Sequence, residues 1–243
     1  MGVKSISWWK CAKVYQEFLR LERFEPLHYY NHNAERILAR RERSPSLLSD
    51  LQPFLNELDK NSRILDWGCG PGLDALEFSK AGHRAVGVDA SPQMVDLAQR
   101  KNLNPRAEFL CKNGLLLSFL ANEWDAVWMN ESLNDLPSEH AQRGIAACFK
   151  GVRPEGTLGI IVREGQGFFE DREDDFEGPS RLVYLYGEKA LCSLVEQTGF
   201  MVTRVGHHES DADGVKRMMI LAKKVTTHSG GADQGANGQG GTA

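Results

Sequence analysis

The stretch Leu65-Asp66-Trp67-Gly68-Cys69-Gly70-Pro71-Gly72 decides how this chain is read. Residues 64–67 form a short apolar strand, the glycines make a tight turn, and residues 73–81 follow as a helix stopped by Gly82. Glycine lets the backbone approach a ligand closely and adopt dihedrals closed to other residues. Open α/β sheets collect their ligands at such a turn, at the carboxyl end of the first strand.

Nineteen residues beyond Gly70, a second apolar strand (85–89) ends in Asp89. An acid there accepts hydrogen bonds from both ribose hydroxyls, and Ser91 already serves as N-cap of the next helix. Together they predict an adenosine-containing cofactor. A dinucleotide turn runs GxGxxG, but its last position here is Leu73. Asp66, beside the turn, repels a pyrophosphate and suits a ligand bearing an ammonium group. These charges favour S-adenosylmethionine over NAD.

Outward from the turn, strand and helix alternate. Ser91-Pro92 opens a helix over 93–101, and strands follow at 109–111 and 124–129. A helix at 140–150, a strand at 157–162 and a helix at 188–198 come next. Strands at 200–205 and 218–224 end the pattern with no helix between them. The expected fold is α/β: a Rossmann-like, doubly wound, mainly parallel seven-stranded sheet with an antiparallel terminal hairpin and N-terminal helices.

Residues 8–58 read as helical. One apolar face carries Tyr15, Phe18, Leu19 and Leu21; a second carries Leu47, Leu48, Leu51, Phe54, Leu55 and Leu58, with Ser44-Pro45 as its start. Three units are expected: an N-terminal helical cap (1–60), a cofactor-binding domain (61–225) and a glycine-rich disordered tail (226–243).

The ordered motifs LDWGCGPG, VGVDAS, FLCKNG, WDAVWMNESLNDLP and VRPEGTLGIIV resemble those of class I S-adenosylmethionine-dependent methyltransferases of the small-molecule type. The resemblance covers roughly residues 30–225 and includes the segment Tyr29-Tyr30-Asn31-His32-Asn33-Ala34. It implies that Asp66, Gly68, Cys69 and Gly70 line the methionine portion of S-adenosylmethionine. Asp89 would bind the ribose, with Ala90 and Met94 against adenine. Asn113 stands where the family often has Asp and keeps the carbonyl that accepts from the adenine amino group; Gly114 offers its backbone N–H to the ring. Asn130 would face the methyl donor. Tyr30 either closes over the methionine end or packs as helix core.

Methyl transfer from a sulfonium is an in-line displacement with an activated leaving group, so alignment does much of the work. A base is needed only where the acceptor must lose a proton. Asn130, Glu131 and Asn134, with Glu164, are the catalytic candidates, all near carboxyl ends of strands; the alternative is that they merely cap helices. Residues 165–181 read as an insertion over the pocket, with Phe168, Phe169 and Phe176 turned inward and the acids from Glu170 to Glu177 facing water. The sharper alternative is an acidic lid for cationic acceptors.

Composition narrows the rest. A net charge of −4 over 243 residues provides no basic field for nucleic acid, and no apolar run reaches membrane-spanning length. Five scattered cysteines without a CxxC pair argue against a disulfide framework or zinc and fit a reducing compartment. With no leader-like apolar run at residues 1–9, the expectation is a cytoplasmic protein with a small-molecule partner. His207-His208 read as an ordinary loop-edge pair rather than metal ligands. The competing functions are a non-catalytic S-adenosylmethionine-binding regulator and, from the turn alone, an NAD-dependent oxidoreductase.

Overall fold

A computed structural model describes residues 25–43, 47–171, 178, 180–209 and 214–225. The chain runs α1 (Glu25–Glu42), α2 (Leu47–Leu55), β1 (Arg63–Trp67), α3 (Leu73–Lys80), β2 (Arg84–Asp89), α4 (Pro92–Lys101), β3 (Ala107–Cys111) and β4 (Trp124–Asn130). It continues through α5 (Ser138–Gly151), β5 (Val152–Arg163), β6 (Phe168–Asp171), β7 (Arg181–Tyr184), α6 (Glu188–Gln197), β8 (Phe200–Glu209) and β9 (Lys216–Lys224). Short 3-10 turns lie at Gly114–Leu116 and Ser132–Asp135.

Seven strands form one sheet in the order β3-β2-β1-β4-β5-β9-β8. Strands β1 to β5 pair in parallel, while β9 runs antiparallel to both β5 and β8. This is the expected Rossmann-like sheet with its reversed terminal strand. Both faces are covered, so the central strands read as unbroken apolar runs rather than alternating ones. In β4, Ala126 and Trp128 pack toward α2 and α3 with Phe54 and Phe78, whereas Val127 and Met129 face Ile145 and Cys148 of α5. Trp128 lies against Phe54, ring centroids 4.8 Å apart. Helix α1 lays Tyr29, Ala34, Ile37 and Leu38 on Met94 and Leu97 of α4, an amphipathic face at helical spacing.

Local chemistry starts α4 as predicted: the Ser91 hydroxyl accepts the Met94 N–H, and Pro92 takes the first helical position. Sheet order then places the site. The chain leaves β3 at one edge and returns to β4 beside β1, which opens a crevice at the carboxyl ends of β1 and β4.

Two expectations are corrected. The 165–181 insertion carries an antiparallel hairpin, β6–β7, in which Asp171 stands opposite Arg181. Their ion pair at 3.1 Å draws the acid in, so Asp171 is 7% exposed, while Phe168 and Phe169 are 62% and 40% exposed. The aromatic rings therefore lie outward and an acid inward, the reverse of the apolar-in reading. His207 and His208 lie within β8, opposite Met218 and Arg217, not at a loop edge. The apolar face at residues 15–21, the helix start at Ser44-Pro45, Phe176 and the tail from residue 226 fall outside the described residues. No helix among the described residues is long and apolar enough to cross a membrane.

Candidate active site

The glycine turn is held from beneath by β2. Gly68 and Cys69 both donate their N–H groups to Val88 O, at 2.8 and 3.0 Å. One residue further, the Asp89 carboxylate accepts the Gly70 N–H and the Ser91 N–H, each at 2.8 Å. Burial pushes the Asp89 carboxyl up to about 6 against these backbone donors. Gly70 has φ +52°, and a Cβ there would meet nothing within 4 Å, so the turn faces open space. Gly72, at φ +80°, is instead crowded by Phe109 and Ala98.

Asp66 is 1% exposed, and its Oδ2 has no partner among the described residues. Burial and the neighbouring Asp74 push its carboxyl well up, and Arg41 resists. The Ser132 hydroxyl is likewise buried and unpartnered, packed against Gly68. Two polar atoms without partners thus flank the turn at the crevice, where buried polar groups ordinarily find a bond.

The structure gathers Asp66, Gly68, Cys69, Gly70, Asp89 and Ala90 at one place, with Asn130 on the adjoining strand. Met94 sits deeper, fully buried with Tyr29 under α1. Asn113 uses its Oδ1 to cap the 3-10 turn at Leu115 N (2.9 Å), and Gly114 presses on the Trp67 indole, where a Cβ would come within 2.2 Å. Asn130 donates Nδ2 to Asp74 at 2.9 Å.

Glu131, in left-handed backbone at φ 54°, meets Arg163 and Arg217. Burial works against its charge, but the two guanidinium groups overcome it and hold the carboxyl down at about 2. A carboxylate so weakly basic is poorly suited to take a proton near neutral pH. Asn134 is 1% exposed and ties two backbones together, accepting Arg163 N–H at 3.0 Å and donating to Tyr184 O. Glu164 meets His207 at 3.0 Å on the sheet's outer end.

Tyr30 belongs to a cluster that sequence reading missed. Its hydroxyl donates to Asp135 at 2.7 Å and accepts from Arg181, which also binds Asp135 and Asp171. Arg181 lies 5.0 and 5.3 Å from the Tyr29 and Tyr30 ring centres. This joins α1, the Ser132–Asp135 turn and the β6–β7 hairpin over the crevice. The unread signal was an arginine in an otherwise apolar four-residue strand, RLVY. Asp74, an acid within LDALEFSK immediately after the turn, was missed in the same way.

Residues 64–156 match the family described as "Methyltransferase domain". An uncharacterized methyltransferase of Schizosaccharomyces pombe is 31% identical over 193 residues, covering 74% of this chain and 72% of that protein. The phosphoethanolamine N-methyltransferase of Plasmodium falciparum is 29% identical over 138 residues, 56% of this chain; the match spans only half of that longer protein. Among solved structures, the 1,6-didemethyltoxoflavin-N1-methyltransferase of Burkholderia thailandensis, with bound 1,6-didemethyltoxoflavin and S-adenosylhomocysteine, superposes at a TM-score of 0.65. It covers 93% of this chain and 94% of its own at 20% identity, a likeness of fold.

Proposed function

Because the chain belongs to the class I S-adenosylmethionine-dependent methyltransferase family, we propose that it transfers a methyl group from S-adenosylmethionine to a small-molecule acceptor. The observation that carries this reading is the clamp of Asp89 on the glycine turn, beside a buried Asp66 oxygen that has no partner among the described residues. These residues fit the group. Gly70 leaves open space, Asp89 stands at the end of β2 to accept from ribose hydroxyls, and the acids near Asp66 suit a positive charge.

When bound, S-adenosylmethionine supplies an activated methyl carbon on a cationic sulfur. The chain's part is then to bind, orient and exclude water. Gly68, Cys69 and Gly70 form the floor for the methionine portion, with Ala90 flanking adenine, the buried Met94 backing that side from beneath, and Asn113 and Gly114 closing its far side. Asn130 faces the transfer point. In this reading Glu131 and Asn134 are struts: one neutralises two arginines, and the other fastens β5 to β7. Tyr30 and Arg181 close the crevice over the acceptor.

An acceptor of small size fits a crevice roofed by one helix and one hairpin, and the Burkholderia enzyme pairs a comparable fold with bound 1,6-didemethyltoxoflavin. Free Cys69, Cys111, Cys148 and Cys192 favour the cytoplasm. Calorimetric titration with S-adenosylmethionine, S-adenosylhomocysteine and NADH tests the cofactor. Saturable binding of the first two is expected, and affinity for NADH alone would sink the reading. Labelled-methyl transfer into a small-molecule extract tests turnover.

A further inference from the structure

The Asp74 carboxylate gathers donors from separate parts of the fold. Its Oδ1 takes Arg41 Nη2 of α1 at 2.8 Å. Its Oδ2 takes both the Trp128 indole N–H at 2.8 Å and Asn130 Nδ2 at 2.9 Å. Asp74 is 3% exposed and stands in the first turn of α3, directly after the glycine turn. A carboxylate only accepts, so the NH2 half of Asn130 must face Asp74 and the carbonyl half must face away. Asn130 is half-buried, and its Oδ1 has no protein partner among the described residues.

Register decides where that oxygen sits. Asp66 pairs with Trp128 across β1 and β4, and Asn130 lies two residues beyond Trp128. Alternation along a strand puts Asp66, Trp128 and Asn130 on one side of the sheet, with Trp128 in the core and Asp66 and Asn130 nearest the carboxyl ends of their strands at the crevice. Two acceptor oxygens without partners, Asp66 Oδ2 and Asn130 Oδ1, therefore share one side of the crevice, and Arg41 and Asp74 lie behind them.

We propose that Asp74 is a positioning residue: it turns the Asn130 amide so that the carbonyl oxygen, beside Asp66, accepts from the ammonium group at the methionine end of the cofactor. Arg41 compensates the acidic charge gathered there and makes docking of α1 part of the site. This rests on the S-adenosylmethionine reading above. A purely structural hub would fasten α1 and β4 to α3 without favouring any part of the ligand.

The experiment compares two probes by calorimetry. S-adenosylhomocysteine carries the amino-acid end; 5′-methylthioadenosine shares the adenosine and thioether but lacks that end. In Asp74→Ala and in Asn130→Ala, affinity for S-adenosylhomocysteine should fall about tenfold, as expected for a hydrogen bond to a charged group. Affinity for 5′-methylthioadenosine should stay within about twofold. The double variant should lose no more than Asn130→Ala alone, because Asp74 acts through Asn130. Unchanged S-adenosylhomocysteine binding in Asn130→Ala overturns the proposal, as do equal losses for both probes or losses that add in the double variant. Should Asp74→Ala fail to fold, Asn130→Ala decides by the same split. A wild type that binds neither probe removes the parent reading as well, a result separate from any pattern among the variants.

Discussion

The Asp89 carboxylate bonds the Gly70 N–H and the Ser91 N–H at once, so one side chain fixes both the glycine turn and the start of α4. In the reading proposed above, its ionised form is the one that grips a ribose. With its carboxyl at about 6, affinity for S-adenosylhomocysteine should decline as pH drops below about 6, measured by titration across that range. The stability contribution has the opposite sign. A folded-state value above the usual 3.8 stabilises the fold in acid, and that contribution is gone once pH has risen through about 6. Asp89→Ala should abolish saturable binding while leaving a folded protein.

Gly70 and Gly72 should separate binding from folding. Both have positive φ, but a Cβ at Gly70 meets nothing within 4 Å, whereas one at Gly72 comes within 2.5 Å of the Phe109 ring. Gly70→Ala is expected to cost about 1 kcal/mol of stability and to lose cofactor affinity at least tenfold. Gly72→Ala should lower the melting temperature severely. Equal melting temperatures for the two variants would contradict this account of the turn.

Arg163 and Arg217 stand directly opposite one another in the β5–β9 register, with Glu131 bonded to both. Like charges so placed repel. Removing the mediating charge in Glu131→Gln should cost about 3 kcal/mol in denaturant unfolding. Its carboxyl is held at about 2, below the usual 4.5, so its contribution is complete above pH 4.5 and disappears as pH falls toward about 2. Acid titration of wild type against Glu131→Gln should show the two stability curves converging across that window.

His207 is held between Glu164 at 3.0 Å and Glu188 at 3.1 Å, residues that bracket the hairpin insertion. The hydrogen bond to Glu164 leads in raising the imidazole above its usual 6.5. The stabilisation is therefore full below 6.5 and is lost as pH rises through the raised value. The melting difference between wild type and His207→Gln should be clear in mildly acidic buffer and shrink toward zero in alkaline buffer. The site is exposed, so the effect should also weaken with added salt.

Much of the fold was legible because its signals are local. Burial of the central strands on both faces leaves apolar runs such as Ala85–Val88, and Ser91-Pro92 announces the start of α4 within two residues. The glycine turn and Asp89 were readable for the same reason: each lies at a strand end set by neighbours in sequence. The ionic parts were not. Arg181 reaches Tyr30 across 151 positions, and Arg217 reaches Glu131 across 86, distances at which no periodicity reports a partner. The hairpin escaped notice because its strands are only four residues long and one reads FFED. Hydrophobicity alone turned Phe168 and Phe169 inward, but the Asp171–Arg181 pair governs that segment.

The hairpin also leaves and rejoins the main body at a single point. Gly165 donates to Tyr186 O and Tyr186 donates to Arg163 O, both at 3.2 Å, and Glu164 bridges Tyr186. These bonds staple the two ends of the insertion together at its base. Lengthening it costs little, because loop-closure entropy grows only slowly with length. A change of length or sequence between those staples would alter what roofs the crevice while leaving β1, β2 and the glycine turn between them in place.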